Sequence, residues 1–545
     1  MAKESDPNIV FMGELEDSLD YATFGDLLVK SLKAGGDQIS MINGTTDQKW
    51  TFNDILAESI KAAKALYGSG IRQNDVISIL SDNRFEFAAI SYGALFLNAT
   101  IAPVNIMYTE RELKHSLGIS KPKYVFISEA AKGSFKAIKS LSYVELIILI
   151  DGQEEEDKRL ISWRNFITKF RNSKFDVEEF VHQPIKIFEQ TAMIFMSSGT
   201  TGLPKGVELS QGNLVACSVE NFSKVRKNQQ LFGKLDLLSV APWFHIMGFM
   251  GKIWCTTSSK TTFVFLSKFE PKIYLECIQK YKIMTMFISP PIIVFLTKSP
   301  LFYEYDLSSI RFIMSGAAPL SKELEDQVKE RFNNKVQILQ GFGQTESTSG
   351  VLFCEMATAK PGSVGQVIKG TYAKIIDGDG KSLGPNKVGE LCLKGPLIMR
   401  GYRNDPQATA ITIDKNGWLH SGDLGYYDED KQFFIVDRLK EVIKYKGYQV
   451  PPAELEGILL SHPEIKDAGV IGIPDDLAGE LPFAFVVKDG DLSEQEVKDF
   501  VAKNVSNPKW LRGGVKFIEE IPKNPSGKIL RREMREYYRN MMAKL

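Results

Sequence analysis

The run Thr191-Ala192-Met193-Ile194-Phe195-Met196 carries no charge and ends on Ser197-Ser198-Gly199-Thr200-Thr201-Gly202-Leu203-Pro204-Lys205-Gly206. A continuous apolar strand of this kind belongs to a parallel sheet covered on both faces. Open α/β sheets hold ligands at the carboxyl ends of their strands, which is where this loop begins. Its hydroxyls and small residues let backbone amides approach a polyanion, and Lys205 adds a point charge. Those are the requirements for gripping the phosphates of ATP. The spacing is not that of the G-x-x-x-x-G-K-S/T loop. Counted from Gly199, Pro204 stands at the second glycine, and Gly206 stands where a hydroxyl should follow the lysine. Pro204 disfavours helix before it, so the loop is expected to return into a second strand through Val207-Glu208-Leu209. A Ser/Gly linker rarely carries Pro-Lys-Gly into an apolar strand.

Similar apolar runs recur at Val76-Ile77-Ser78-Ile79-Leu80, Tyr124-Val125-Phe126-Ile127 and from Glu145 to Asp151, separated by helical spacing. With 545 residues, two or more domains are expected. After about residue 360, Gly362, Gly365, Gly370, Gly389, Gly395 and Gly401 punctuate short strands, as in a β-rich subdomain. The strand Phe433-Phe434-Ile435-Val436 runs into the charged stretch Asp437-Arg438-Leu439-Lys440, the expected boundary. The expectation is an α/β chain. A large N-terminal domain (1–438) has parallel-type sheets flanked by helices, plus the β-rich subdomain, and a small mobile α+β domain (439–545) follows.

Lys+Arg and Asp+Glu both total 67, so no basic excess points to nucleic acid. Five scattered cysteines with no C-x-x-C spacing argue against a disulfide framework or a zinc site and fit a reducing compartment. The charged start Met1-Ala2-Lys3-Glu4-Ser5-Asp6 lacks the apolar core of a secretory leader. The uncharged stretch nearest to a membrane span, Phe87 to Tyr108, contains Asn98, Pro103 and Asn105 and reads as a buried helix running into a strand. The last residues, Ala543-Lys544-Leu545, resemble the peroxisomal address Ser-Lys-Leu, which implies an import receptor as partner. Arg531, Arg532, Arg535 and Arg539 precede it as a basic tail or a solvated helix face.

Further polar constellations stand out. Gln340-Gly341-Phe342-Gly343-Gln344-Thr345-Glu346 frees a ring face between glycines for stacking and ends on a hard oxygen ligand suited to Mg2+; its structural alternative is a plain turn. Ser315-Gly316-Ala317-Ala318-Pro319 follows an apolar run, where small residues let a flat ring lie on backbone. Trp418-Leu419-His420-Ser421-Gly422-Asp423 ends in a carboxylate able to take both hydroxyls of a ribose. Lys528 sits on the restricted loop Pro522-Lys523-Asn524-Pro525-Ser526-Gly527-Lys528, a better candidate for a placed cation than a free surface lysine. His245 stands among bulky apolar residues, as a core histidine or as the lining of a carboxylate-substrate pocket.

Over essentially the whole chain this set resembles the adenylate-forming superfamily of acyl-CoA synthetases, 4-coumarate:CoA ligases and beetle luciferases, and it is most similar to the luciferase branch. Gly417 to Asp423, Ile435 to Lys440, Ile443 to Val450 and Leu511-Arg512-Gly513-Gly514-Val515 carry that likeness. The resemblance implies ATP, Mg2+ and coenzyme A. It implies that Ser197 to Lys205 hold the β- and γ-phosphates, and that Gly316, Ala317, Ala318, Gln340, Gly341 and Phe342, with Gly343 beside them, frame adenine. Thr345 would meet the α-phosphate, Glu346 would position Mg2+, Asp423 would bind ribose, and Arg438 would contact the nucleotide beside a hinge at Lys440. Lys528 would bridge the carboxylate and α-phosphate in the first step, and His245 would line the acyl pocket. Lys444, Lys446 and Gly447 would face the site after the small domain turns.

Departures from firefly-type luciferases fall around the acyl site. This chain has Phe244-His245-Ile246-Met247 where they have His-His-Gly-Phe, and Gly316-Ala317-Ala318 where they have Gly-Gly-Ala. It has Gln344 for an aliphatic residue, Thr348-Ser349-Gly350 for Thr-Ser-Ala, and Ser210-Gln211 for Thr-His. Loss of glycine at Ile246 and Ala317 narrows room for a flat heteroaromatic, while Ile246 and Met247 suit a flexible chain. The expected activity is therefore a peroxisomal ligase for medium- to long-chain fatty acids. A luciferase and an aromatic-acid CoA ligase are the alternatives. A non-catalytic binder would lack Lys205, Glu346 or Lys528, and all three are present.

Overall fold

The computed structural model describes residues 6–543 except 16–18, 153–156, 173, 184, 198–203, 259–260, 317–319, 321, 356–358, 447 and 526. The strand Thr191–Ser197 and the strand Lys205–Ser210 pair antiparallel, so the chain after the loop does return as a strand. Both belong to an eight-stranded sheet in which Thr191–Ser197, Thr100–Pro103, Val76–Leu80, Tyr124–Ile127, Leu146–Leu149 and Leu160–Ser162 run parallel side by side. The short strand Gly401–Tyr402 closes its other edge against Lys205–Ser210. The helix Phe85–Phe96 runs into Thr100–Pro103 and buries every residue except Glu86, which accounts for its apolar composition on all sides.

A nine-stranded sheet lies beside it, with a parallel centre built from Ile39–Asn43, Phe263–Phe265, Leu237–Ser239, Thr285–Ile288, Phe312–Ser315 and Gln337–Gln344. The segment Gln340 to Glu346 is no plain turn. It finishes the strand Gln337–Gln344, pairs antiparallel with Ser349–Phe353, and ends in one 3-10 turn, Thr345–Ser347. Helices including Phe24–Gly35, Phe52–Gly68 and Ile246–Ser258 pack with these sheets into one continuous core. Most of the glycine-punctuated stretch enters a six-stranded sheet that also takes the N-terminal strand Val10–Phe11 and ends on Phe433–Arg438, while Gln366–Val367 and Gly401–Tyr402 join the other two sheets.

Four residues later Ile443–Tyr445 opens a separate five-stranded sheet, with Tyr448–Val450, Ile465–Asp475, Gly479–Lys488 and Gly514–Phe517. It has its own core around Val470, Ala484 and Val497. This C-terminal unit docks on the larger one at named points. The Lys298 ammonium donates to the carbonyls of His462 and Ile465, and the Gln327 amide donates to the carbonyl of Ser461 at 3.4 Å. The final helix, Arg531–Met542, bears out the solvated-face reading for Arg532 and Arg539, which are exposed, and corrects it for the other two arginines. Arg531 is nearly buried in a two-pronged pair with Glu456, and Arg535 pairs with Glu441. Among the described residues no helix is long and apolar enough to cross a membrane, and all five cysteines are free.

Candidate active site

A cleft of about 1230 Å3 opens where the two units meet, at the carboxyl ends of the strands Thr191–Ser197, Phe312–Ser315 and Gln337–Gln344. Its wall brings together Ser197, Lys205, His245, Gly316, Gly341, Phe342, Gly343, Thr345, Glu346, Arg438, Lys440 and Lys528, residues spread over more than 300 positions of sequence. Ser198, Gly199, Thr200, Thr201, Gly202, Ala317, Ala318 and Gly447 lie outside the described residues.

Lys205 stands 4.7 Å over the ring of Tyr402, and the Tyr402 hydroxyl donates to Glu346 Oε1 at 2.9 Å. The edge strand Gly401–Tyr402 thus fixes the carboxylate and steadies the lysine at once. Burial, then the Glu346 charge, push the Tyr402 phenol far up, so it remains a donor. Glu346 keeps a second oxygen and is a hard ligand in the cleft wall.

Asp423 is buried on the strand Leu419–Tyr427, directly across the ladder from Arg438, whose Nε lies 3.6 Å from its Oδ1. Within the same strand Gly422, at φ 71°, marks an irregularity in the pairing with Gly389–Lys394 and is tied by Glu390, which accepts from the Gly422 N–H at 3.0 Å and lies 3.1 Å from His420 Nδ1. Lys528 reaches this pair from the C-terminal unit on a tight turn. Its N–H donates to Asn524 Oδ1 at 2.9 Å, and Gly527 has φ 83°. A Cβ on Gly527 would meet Pro291 Cγ at 2.9 Å, so the loop presses on the large unit with no room to spare. Burial raises the Asp423 carboxyl while Arg438 and Lys528 pull it down. Burial, then Arg438, lower the Lys528 ammonium while Asp423 supports it.

His245 is pushed down to about 4, by burial first and then by the Lys528 charge. It is therefore a neutral imidazole at physiological pH. Its Nδ1 accepts from the Met247 N–H at 3.4 Å, which leaves the proton on Nε2.

Asp423 itself stands just behind the cleft wall, which holds His420, Ser421, Gly422 and Arg438, and the remaining expected residues fall elsewhere. Gln340 is buried with its amide donating to Glu325 Oε2 at 3.2 Å, outside the cleft wall. Lys444 and Lys446 are exposed on the hairpin of Ile443–Tyr445 and Tyr448–Val450, also outside the wall, with Lys446 at φ 47°. Tyr402 was invisible in the sequence. It sits on a two-residue strand, too short for periodicity to reveal, and Gly401 before it, at φ 146°, was the one local signal.

From the polar end the cleft continues as a channel between a sheet face and a helix. The sheet contributes Gly316 and Gly341 at the top, Phe287, Met314 and Leu339 below, and Leu237, Thr285 and Phe312 beneath those, as the parallel register demands. The helix Ile246–Ser258 faces them with Met247, Gly251, Trp254, Cys255 and Ser258, one stripe of a 3.6-residue repeat. From Met247 to Ser258 that stripe is about 16 Å long at 1.5 Å per residue.

The chain matches the family model "AMP-binding enzyme" over residues 29–403 and "AMP-binding enzyme C-terminal domain" over 454–528. It is 42% identical over 556 aligned positions to a luciferin 4-monooxygenase of Nipponoluciola cruciata, covering 99% of both chains. It is 40% identical to a 4-coumarate–CoA ligase of Pinus taeda, covering 92% of both. Among solved structures, a red-emitting luciferase from Phrixothrix hirtus superposes with a TM-score of 0.70 at 36% identity, over 98% of this chain and 99% of that one. An anthranilate CoA ligase in complex with anthranoyl-AMP shares the fold, with a TM-score of 0.85 at 22% identity over 96% of this chain and 98% of that one. The chain therefore belongs to the adenylate-forming family of AMP-binding enzymes, which holds acyl- and aryl-CoA ligases together with luciferases.

Proposed function

We propose that this chain is an AMP-forming acyl-CoA ligase that uses ATP, Mg2+ and coenzyme A to activate a medium- to long-chain fatty acid. The observation that carries the substrate class is the long channel walled by the apolar Met247, Trp254, Phe287 and Met314 below the charged end of the cleft. An extended chain covers about 1.2 Å per bond, a third of the backbone span per residue, so a 16 Å stripe matches about thirteen bonds.

A carboxylate is a poor electrophile. Its oxygen attacks the α-phosphorus of ATP, pyrophosphate leaves, and the acyl carbon now carries AMP as leaving group. No side-chain nucleophile is required, and the protein's work is positioning and charge neutralisation. Lys528 and Lys205 supply the cations, Asp423 and Arg438 hold the ribose side, and neutral His245 borders the acyl group without competing for the ammonium. The Glu346 carboxylate, oriented by Tyr402, fits Mg2+ carried with the phosphates, an ion that would offset their charge. In the second step the thiolate of coenzyme A attacks the acyl carbon and AMP departs. Residues 439–545 form the lid, turning about Lys440 so that Lys444, Lys446 and Gly447 replace Lys528. The C-terminal Ala543-Lys544-Leu545, whose last two residues lie outside the described set, serves as a peroxisomal address read by an import receptor.

The test is a panel of fatty acids, cinnamates and luciferin, following AMP and thioester together. Fatty acids are expected to give both products at the highest kcat/KM. The 42% identity to a luciferin 4-monooxygenase favours a second reading, light emission from adenylated luciferin and oxygen. Luminescence at a rate rivalling thioester formation would establish that reading and overturn the first.

A further inference from the structure

We propose that Glu390, Cys392 and His420 form a binding site for a divalent cation that prefers thiolate and imidazole, of the class of Zn2+, separate from the oxygen ligand that Glu346 offers to Mg2+. The site does not depend on which acid the cleft takes.

The three side chains are brought together by sheet register. Glu390 and Cys392 stand two residues apart on the strand Gly389–Lys394 and so share a face. His420, on the strand Leu419–Tyr427, is the cross-ladder partner of Cys392 and projects to the same side. Cys392 Sγ lies 3.7 Å from His420 Nδ1, and that nitrogen lies 3.1 Å from Glu390 Oε2. One ligand atom from each residue falls within 4.8 Å of the other two. A tetrahedral Zn2+ with bonds of about 2.1 Å to nitrogen and oxygen and about 2.3 Å to sulfur holds N and O about 3.4 Å apart and N and S about 3.6 Å apart. The side chains already stand within about 0.3 Å of both spacings. Cysteine spacing in the sequence argued against zinc because only one thiol takes part, 28 positions from its histidine.

A second observation points to a metal. The other ring nitrogen, His420 Nε2, faces Asp414 Oδ2 at 3.9 Å. Asp414 is held in place because its Oδ1 accepts from the N–H groups of Asn416 and Trp418 at 2.8 and 3.0 Å. A carboxylate behind the far nitrogen of a histidine is what orients an imidazole for a metal and keeps its proton on that side. Glu390 Oε1 is taken by the Gly422 N–H, which leaves Oε2 to coordinate. Nearby Lys374 and Lys394 are turned onto the Trp418 ring, with Nζ 4.3 and 5.6 Å from its centroid. Glu390 and His420 belong to the cleft wall, so an ion enters from the cleft and keeps a water there as fourth ligand, with Cys392 buried behind. On binding, the thiol releases its proton to solvent and becomes the sulfur ligand, while the Nδ1 proton of His420 is exchanged for one on Nε2. The ion would tie together the two strands at the irregularity that precedes Asp423.

The experiment titrates the full chain with Co2+, then with Zn2+, in the presence of excess Mg2+. One equivalent of Co2+ should bind and give a thiolate-to-metal charge-transfer band in the near ultraviolet, and Zn2+ should bleach it. Cys392→Ser should abolish the band, with a far-ultraviolet circular dichroism spectrum like that of the wild type. Asp414→Asn, which keeps the oxygen that binds the loop, should weaken Zn2+ binding about ten- to a hundredfold and leave the band in place at saturation. No band from the wild type, a band displaced by Mg2+, or a band that survives in both Cys392→Ser and Cys392→Ala overturns the site. Each of these results leaves the ligase reading intact.

Discussion

Lys528 and Lys252 are both lysines whose ammonium burial disfavours, and their surroundings are opposites. Lys528 enters the cleft from the C-terminal unit and stands among Asp423, Arg438, Arg531 and Glu441. Lys252, on the helix Ile246–Ser258, is fully buried among rings, with Nζ 4.2 Å from the centroid of Phe249, 4.6 Å from Tyr92, 5.1 Å from Trp243 and 5.4 Å from Phe87. Its nitrogen has no hydrogen-bond partner among the described residues, and burial alone drives its ammonium far down. Desolvation is common to both, so it cannot be what marks a functional cation. The difference lies in compensation and access. Charges at an interface between two units hold Lys528 where an anionic substrate can restore its proton, whereas Lys252 is sealed away as a neutral amine.

The largest effect that would break this contrast is at Lys528. Lys528→Ala is expected to slow pyrophosphate release by about 10²–10³-fold, while thioester formation from a supplied acyl-adenylate survives. Equal loss of both half-reactions would contradict its placement. Because the ammonium form is the useful one and burial lowers its pKa, kcat/KM for the first step should fall on the alkaline side well below lysine's ordinary range. Lys528→Arg should push that limb upward.

Next in size is Lys252→Met. It removes an amine that nothing compensates and fills the same space, so chemical denaturation should report a gain of about 1–3 kcal/mol. The unfolded chain binds a proton here that the folded one refuses, so folding loses stability as pH falls below the unfolded lysine pKa. The gain should therefore grow towards acid pH, with kcat unchanged. A loss of stability would show that Lys252 has a partner the contrast omits.

Smallest is Gly527→Ala, which puts a side chain at φ 83° against Pro291 and Ser289. Strain of about 1–2 kcal/mol in the docked pose should lower the first half-reaction about tenfold and spare the second. Equal effects on both would mean that the loop does not undock.

Much of this was legible in the chain. The strand Thr191–Ser197 and the returning strand Lys205–Ser210 announced themselves because apolar runs, proline and glycine act locally. His245, Glu346 and Lys528 were legible through motif likeness, and the structure brings them into one wall. Lys252 was not legible. A lysine in a helical pattern reads as a solvated face, and nothing in its neighbourhood says that rings from positions 87, 92 and 243 close over it. The place of the Gln340 side chain was hidden for a related reason: its strand was readable, but the side of the sheet holding Glu325 was not. Pairings across long separations are set by tertiary packing, which local spacing does not encode.

The central claim is that the cleft joins a carboxylate oxygen to the α-phosphorus of ATP. A fatty acid carrying heavy oxygen in its carboxylate tests it directly, with the AMP weighed after one turnover in the presence of coenzyme A. Bond cleavage on the acyl side should leave one heavy oxygen on AMP and the other in the thioester. AMP free of label, with nucleotide consumed and thioester formed, would contradict the account.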